Sequence, residues 1–135
     1  MTLRFLGISI AKWITLTAVL FGLVAYLIPQ ASGWMALVPM GFVTFAVAFG
    51  FAEWAFRADL PDRRAALALA GIWIATSVLL QVFMELWLFG RVWFLRYGVD
   101  IYGMYALELV AIFLAAFLTR RRRVMAVAGE GLLLE

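Results

Sequence analysis

The sequence predicts an all-α integral membrane protein: a four-helix bundle of transmembrane helices forming one domain over residues 1–135. Hydrophobic residues make up 67% of the chain and charged residues only 14%, against roughly 45–50% and about 25% in soluble domains. The hydrophobic residues also fall into four continuous runs, each close to the roughly 20 residues that span a bilayer. Because the runs are continuous and do not alternate with polar residues, they predict helices and not the strands of a membrane β-barrel.

The first half of the chain supplies two of these helices. The first is predicted over residues 6–28, and a short polar break follows it. Its basic start, apolar middle and small-residue end also resemble a secretory signal, but we interpret it as a retained membrane helix. The second is predicted over residues 34–56, with Pro39 near its start, where proline is best tolerated. A charged loop containing Pro61 follows, and Asp62 is placed to cap the next helix.

The second half supplies the other two helices. The third is predicted over residues 65–89 and the fourth over residues 101–118. Residues 90–100 mix arginines with aromatic side chains, which is typical of a membrane interface. The fourth helix is expected to stop at Thr119, which leaves a short basic tail, residues 119–135, that is too short to form a domain and is expected to be poorly ordered.

The basic residues predict the orientation of the chain. Nine of the eleven fall at the chain ends and in the second loop, and basic residues concentrate on the cytoplasmic side of a membrane. Both termini are therefore predicted to be cytoplasmic, in the inner membrane of a prokaryote. Four consecutive arginines follow the last helix, where they are predicted to fix its orientation and could hold anionic lipid headgroups: Arg120, Arg121, Arg122 and Arg123. No nucleic-acid role is expected for them.

Polar residues mark one face of the third helix and one level of the fourth. Ser77, Gln81 and Glu85 are spaced four apart and so share a helix face, while Tyr105 and Glu108 are predicted at similar depth on the fourth helix. A carboxylate in an apolar run must find a partner, face water or stay protonated. One interpretation is an outward-facing cavity in which one or both acids bind a proton, a cation or a cationic group. The other is structural: each acid bonds to Gln81, a tyrosine or an arginine and holds the third and fourth helices together.

Lys12 and Glu53 form a second candidate pair. Both are predicted near the inner ends of the first two helices, where an ion pair would lower the cost of each charge. The alternative is that both side chains extend to the cytoplasmic interface, where Arg57, one turn from Glu53, could satisfy the carboxylate.

The composition excludes several classes of function. Without cysteine or histidine, the chain cannot form thiolate–zinc sites, iron–sulfur clusters or His-ligated haem. It contains no catalytic motif and no metal-ligand spacing, so we expect no enzyme activity, no cofactor and no metal. The expected function is that of an accessory or structural subunit, packed with other membrane components as a homo-oligomer or in a larger complex. The alternative is a minimal oligomeric transporter or channel for a proton, a cation, or a cationic or lipid-linked substrate, using Glu85 and Glu108.

Overall fold

The computed structural model of the protein describes residues 2–27, 34–58, 61–92 and 99–132. It contains four helices: α1 (Thr2–Leu27), α2 (Trp34–Ala55), α3 (Arg63–Phe89) and α4 (Val99–Leu132). Each of them holds a stretch long enough and apolar enough to cross a membrane. The predicted all-α chain with four helices of membrane-spanning length is therefore confirmed.

Local signals fix both ends of α3. At its start the Asp62 side chain accepts a hydrogen bond from the backbone N–H of Ala65 at 2.6 Å, which satisfies one of the unpaired donors of the first turn. At its other end Gly90 has a φ of 66°, and its N–H donates to the carbonyl of Leu86 at 3.0 Å. Glycine adopts this left-handed conformation without a steric penalty, so the helix ends there.

The fourth helix is longer than the sequence suggested. The expected stop at Thr119 is wrong, because α4 continues to Leu132; residues 133–135 lie outside the described part of the chain. Seven of the thirteen residues from 120 to 132 are arginine, alanine or methionine, which favour helix, and no proline interrupts the stretch. The basic cluster is therefore carried on a helix and not on a loose tail.

The helices are arranged so that α1 lies diagonally opposite α4. The most extensive contact is between α2 and α4, and α1 contacts both α2 and α3. The α3–α4 contact is the smallest of the four, and within the described residues no close backbone approach joins α1 to α4 or α2 to α3. The third and fourth helices, which the sequence predicts to pack together through their polar faces, do contact each other, although α4 packs more extensively on α2.

One end of the bundle carries most of the positive charge. Here α1 and α3 begin and α2 and α4 end, because short connections join helices that run in opposite directions. We call it the basic end, and its basic residues are Arg4, Arg57, Arg63, Arg64 and Arg120 to Arg123. Both ends of the described chain, the start of α1 and the end of α4, lie on this side.

Close packing is confined to the half of the bundle near the basic end. Most of the buried core lies there, and alanine is its commonest residue: Ala48, Ala52, Ala55, Ala66, Ala70, Ala111, Ala115 and Ala116. Such small side chains let helix backbones approach closely. In the other half, beyond the level of Lys12 and Glu108, the described residues that are buried are Leu16, Thr44, Thr76, Ser77 and Glu85, of which only Leu16 is apolar. The bundle is therefore tight at the basic end and looser at the opposite end.

Candidate functional site

A buried ion pair crosses the centre of the bundle. Lys12 Nζ on α1 lies 2.6 Å from Glu108 Oε2 on α4, and the two side chains are 0% and 6% exposed. The ammonium also donates to Ser77 Oγ at 2.9 Å and lies 4.6 Å from the centre of the Trp73 ring. An ammonium has three N–H donors; here it meets a carboxylate, a hydroxyl and an aromatic face. These contacts connect α1, α3 and α4 at one point.

Helix geometry explains why these side chains meet. Lys12 lies ten residues after the start of α1, which is about 15 Å along the helix. Trp73 lies ten residues after the start of α3, at about the same height. Glu108 precedes Thr119 by eleven residues, or about 16 Å. Measured from the basic end, the three residues therefore share one level near the middle of the bundle.

The candidate ion pair between Lys12 and Glu53 does not form. Glu53 Oε1 instead accepts from Arg122 Nη1 at 3.0 Å. Depth is the reason: Glu53 lies two residues before the end of α2, about 3 Å from it, whereas Lys12 is about 15 Å inside. Because α4 continues past Thr119, Arg122 arrives at the level of Glu53 and pairs with it there.

The central pair is neutral as a unit, and each charge depends on the other. Removing two charges from water costs several kcal/mol per ion, and their attraction repays this only with good geometry and further hydrogen bonds. Ser77 and the Trp73 ring supply those further contacts to Lys12. A cation could bind Glu108 only by competing with a resident ammonium at 2.6 Å.

A cavity of about 210 Å³ lies directly above this pair, in the loose half of the bundle. All four helices contribute to its wall, which mixes apolar and polar side chains. The polar residues are Thr17, Thr44, Ser77, Gln81, Tyr105 and Glu108, and the apolar ones are Trp13, Leu16, Leu20, Leu37, Met40 and Met104. Since one water in the liquid occupies about 30 Å³, the cavity has room for several. Its floor is formed by Ser77 and Glu108, at the ion pair.

Four of the five residues predicted as a polar site line this cavity, and the fifth lies next to it. Ser77, Gln81, Tyr105 and Glu108 are in the wall. Glu85 is fully buried but is not in the wall, and its Oε1 accepts from Gln81 Nε2 at 3.0 Å. Gln81 thus connects the second acid to the cavity, while only Glu108 borders it directly.

The cavity offers hydrogen-bonding groups next to the Lys12–Glu108 ion pair, whose two charges cancel. In the part of the chain that the structure describes, no three Asp, Glu, His or Cys side chains come together to hold a metal ion. Trp73, at the level of the pair, and Leu69, one turn nearer the basic end, are both fully buried beside the alanines of the core. The cavity is therefore backed by a close-packed core on the side of the basic end.

Sequence reasoning missed the role of Lys12 and the contribution of Trp73. A signal for Lys12 was present, because it is the only lysine in the chain and lies in an apolar run. Counting residues from the basic end of both α1 and α4 would have matched its depth to that of Glu108. No sequence signal distinguishes Trp73 from the other tryptophans, because its position depends on how α3 is turned in the bundle.

No protein-family model, curated protein or solved structure shows significant similarity to this chain.

Proposed function

We propose that the protein is a four-helix, membrane-embedded accessory or structural subunit that packs with other membrane components. The observation that supports this most is the internal neutralisation of Glu108 by Lys12. An acid held by a lysine of the same chain is suited to connecting helices and less suited to capturing a substrate cation. Glu85 likewise has a hydrogen-bond partner in Gln81 on its own helix.

The surface of the bundle supports a membrane location. Large apolar side chains point outward on every helix; Phe21 is 66%, Phe42 73%, Phe83 69% and Phe117 61% exposed. In water such a surface would drive association, whereas in a bilayer it faces acyl chains or the helices of a partner. We propose that the basic end faces the cytoplasm, in the inner membrane of a prokaryote, because eight of the eleven basic residues lie there.

The orientation can be tested with single cysteines, since the native chain has none. We expect Ala126→Cys, near the end of α4, to react with an impermeant maleimide only from the cytoplasmic side. Ser32→Cys, between α1 and α2, should react only from the opposite side. Labelling of both variants from the same side would contradict the orientation.

The subunit role predicts that a partner touches the lateral surface in native membranes. A photo-crosslinking amino acid at Phe42 or Phe83 should give one discrete product, either a homodimer or a defined complex. The same group at Ile112, which is fully buried, is the matched control and should give none. If the exposed positions crosslink only to lipid in native membranes, the subunit role is contradicted.

The cavity supports a second candidate function, a minimal oligomeric transporter. Its polar wall reaches Glu108 in the middle of the bundle, where a proton, a cation or the head of a cationic or lipid-linked substrate would arrive. Passage to the basic end would require the Lys12–Glu108 bridge to open and the core around Trp73 to rearrange. Proteoliposome flux that is abolished by Glu108→Gln and only weakened by Glu85→Gln, with folding intact, would favour transport over the subunit role.

A further inference from the structure

A pocket of about 270 Å³ lies at the basic end, between the end of α2 and the part of the parallel helix α4 that passes it. It is separate from the central cavity, and its wall is mostly charged: Glu53, Arg57, Thr119, Arg122 and Arg123. Three arginines face one glutamate, so the wall has an excess of two positive charges. Such a wall favours an anionic ligand.

Two of the three arginines have polar contacts within the protein. Arg122 pairs with Glu53 at 3.0 Å, and Arg123 donates to the carbonyls of Phe56 and Arg57, just after α2 ends. Each guanidinium has five N–H donors in a planar fork, so these contacts leave further donors on both. The two carbonyl contacts of the half-buried Arg123 restrict its side chain, which lowers the entropy that would be lost when a ligand binds.

The third arginine, Arg57, has the fewest side-chain contacts of the three. Its side chain is exposed, and its guanidinium has no hydrogen bond or ion pair to any residue that the structure describes. Its backbone carbonyl, by contrast, is used by Arg123. The carbonyl dipoles at the end of α2 disfavour an anion, but Arg4 and Arg123 donate to three of these carbonyls, on Trp54, Phe56 and Arg57.

We propose that this pocket binds the phosphate of an anionic phospholipid. Guanidinium forks match the oxygen geometry of phosphate, with two parallel hydrogen bonds, and the hydroxyl of Thr119 adds one more possible donor. The pocket lies where the apolar part of α2 gives way to charge at Arg57, which is the depth of lipid headgroups in a bilayer. The proposal rests on the membrane embedding proposed above, but not on the accessory role.

Two variants with the same change in charge distinguish lipid binding in the pocket from a general attraction of anionic lipid to the basic end. Arg57→Gln removes a pocket donor without removing a contact within the described protein. Arg121→Gln removes one charge at the same end, but Arg121 is exposed and does not line the pocket. The probe is phosphatidylglycerol in phosphatidylcholine nanodiscs, read out by native mass spectrometry of the lipids that remain bound after transfer to detergent.

We expect Arg57→Gln to weaken phosphatidylglycerol retention about tenfold, the size of a lost charge-assisted hydrogen bond, and Arg121→Gln to change it less than about twofold. Equal losses in the two variants, or no loss in either, would overturn the proposal. The proposal would also be overturned if inorganic phosphate raised the melting temperature of the protein as much as phosphatidylglycerol does. The ligand would then be a soluble anion. A loss of phosphatidylglycerol retention in Arg57→Gln alone would support the lipid site even if no partner protein were found on the lateral surface.

Discussion

Replacing Glu108 by leucine should destabilise the folded bundle by about 3–5 kcal/mol, because the change leaves the ammonium of Lys12 buried without its counter-charge. Lys12→Met should have a similar effect for the converse reason, since it leaves the carboxylate of Glu108 alone at 6% exposure. Either loss is a large fraction of the 5–15 kcal/mol that typically holds a folded domain together. Each single variant is therefore expected to unfold much more readily than the wild type.

The double variant Lys12→Met/Glu108→Leu should recover most of that loss. Replacing a buried ion pair by apolar residues of similar volume is often neutral or even stabilising, by about 1–4 kcal/mol. Unfolding in a graded detergent titration, followed by circular dichroism, gives the free energy of unfolding for all four proteins. Destabilisation that simply adds up in the double variant would mean that the two charges do not interact.

Trp73→Ala should also destabilise the bundle strongly, by about 3–5 kcal/mol. Trp73 is fully buried, so truncation leaves a large cavity in the close-packed half. It also removes the aromatic face 4.6 Å from the ammonium of Lys12, an interaction worth about 2 kcal/mol or more when it is desolvated. Trp87→Ala is the matched control, because Trp87 lies on the same helix but is 78% exposed.

A third variant, Trp73→Phe, distinguishes the effect of lost side-chain volume from that of the lost ring contact with Lys12. Trp73→Phe keeps an aromatic face for Lys12 and removes the indole N–H, which has no hydrogen-bond partner among the described residues. It should therefore lose much less stability than Trp73→Ala. If Trp73→Ala and Trp87→Ala were equally mild in the same titration, α3 would have to be turned differently in the bundle.

The four helices follow from composition because each segment carries its own signal. A run of about 20 apolar residues predicts a membrane helix whatever its neighbours are, and Asp62 predicts a helix start from its own chemistry. The end of α4 was misjudged because four arginines stop a membrane span but not a helix. The low hydropathy of Arg120 and its neighbours predicts that they lie in water and not in lipid. Helix propensity, by contrast, predicts the conformation of the backbone.

The site was only half predictable, for a different physical reason. Spacing along one helix placed Ser77, Gln81 and Glu85 on a common face, and the structure brings two of them into the cavity wall. The partner of Glu108 depends on which helices lie across from each other, and periodicity within a helix contains no information on that order. The ring order α1–α2–α4–α3 brings Lys12 to Glu108 across the diagonal, whereas the candidate pair within the first hairpin was with Glu53.

The Lys12–Glu108 bridge can be measured directly by solid-state NMR in lipid bilayers. Lys12 is the only lysine, so a ¹⁵N label on the lysine side chain reports from one site, and ¹³C on the glutamate carboxyls supplies the partner. We predict strong ¹⁵N–¹³C dipolar dephasing in the wild type, because the carboxyl carbon of Glu108 is one bond beyond an oxygen that lies 2.6 Å from the lysine nitrogen, and its loss in Glu108→Gln. Absent dephasing in the wild type, or dephasing that survives Glu108→Gln and disappears in Glu53→Gln, would contradict a bridge across the bundle.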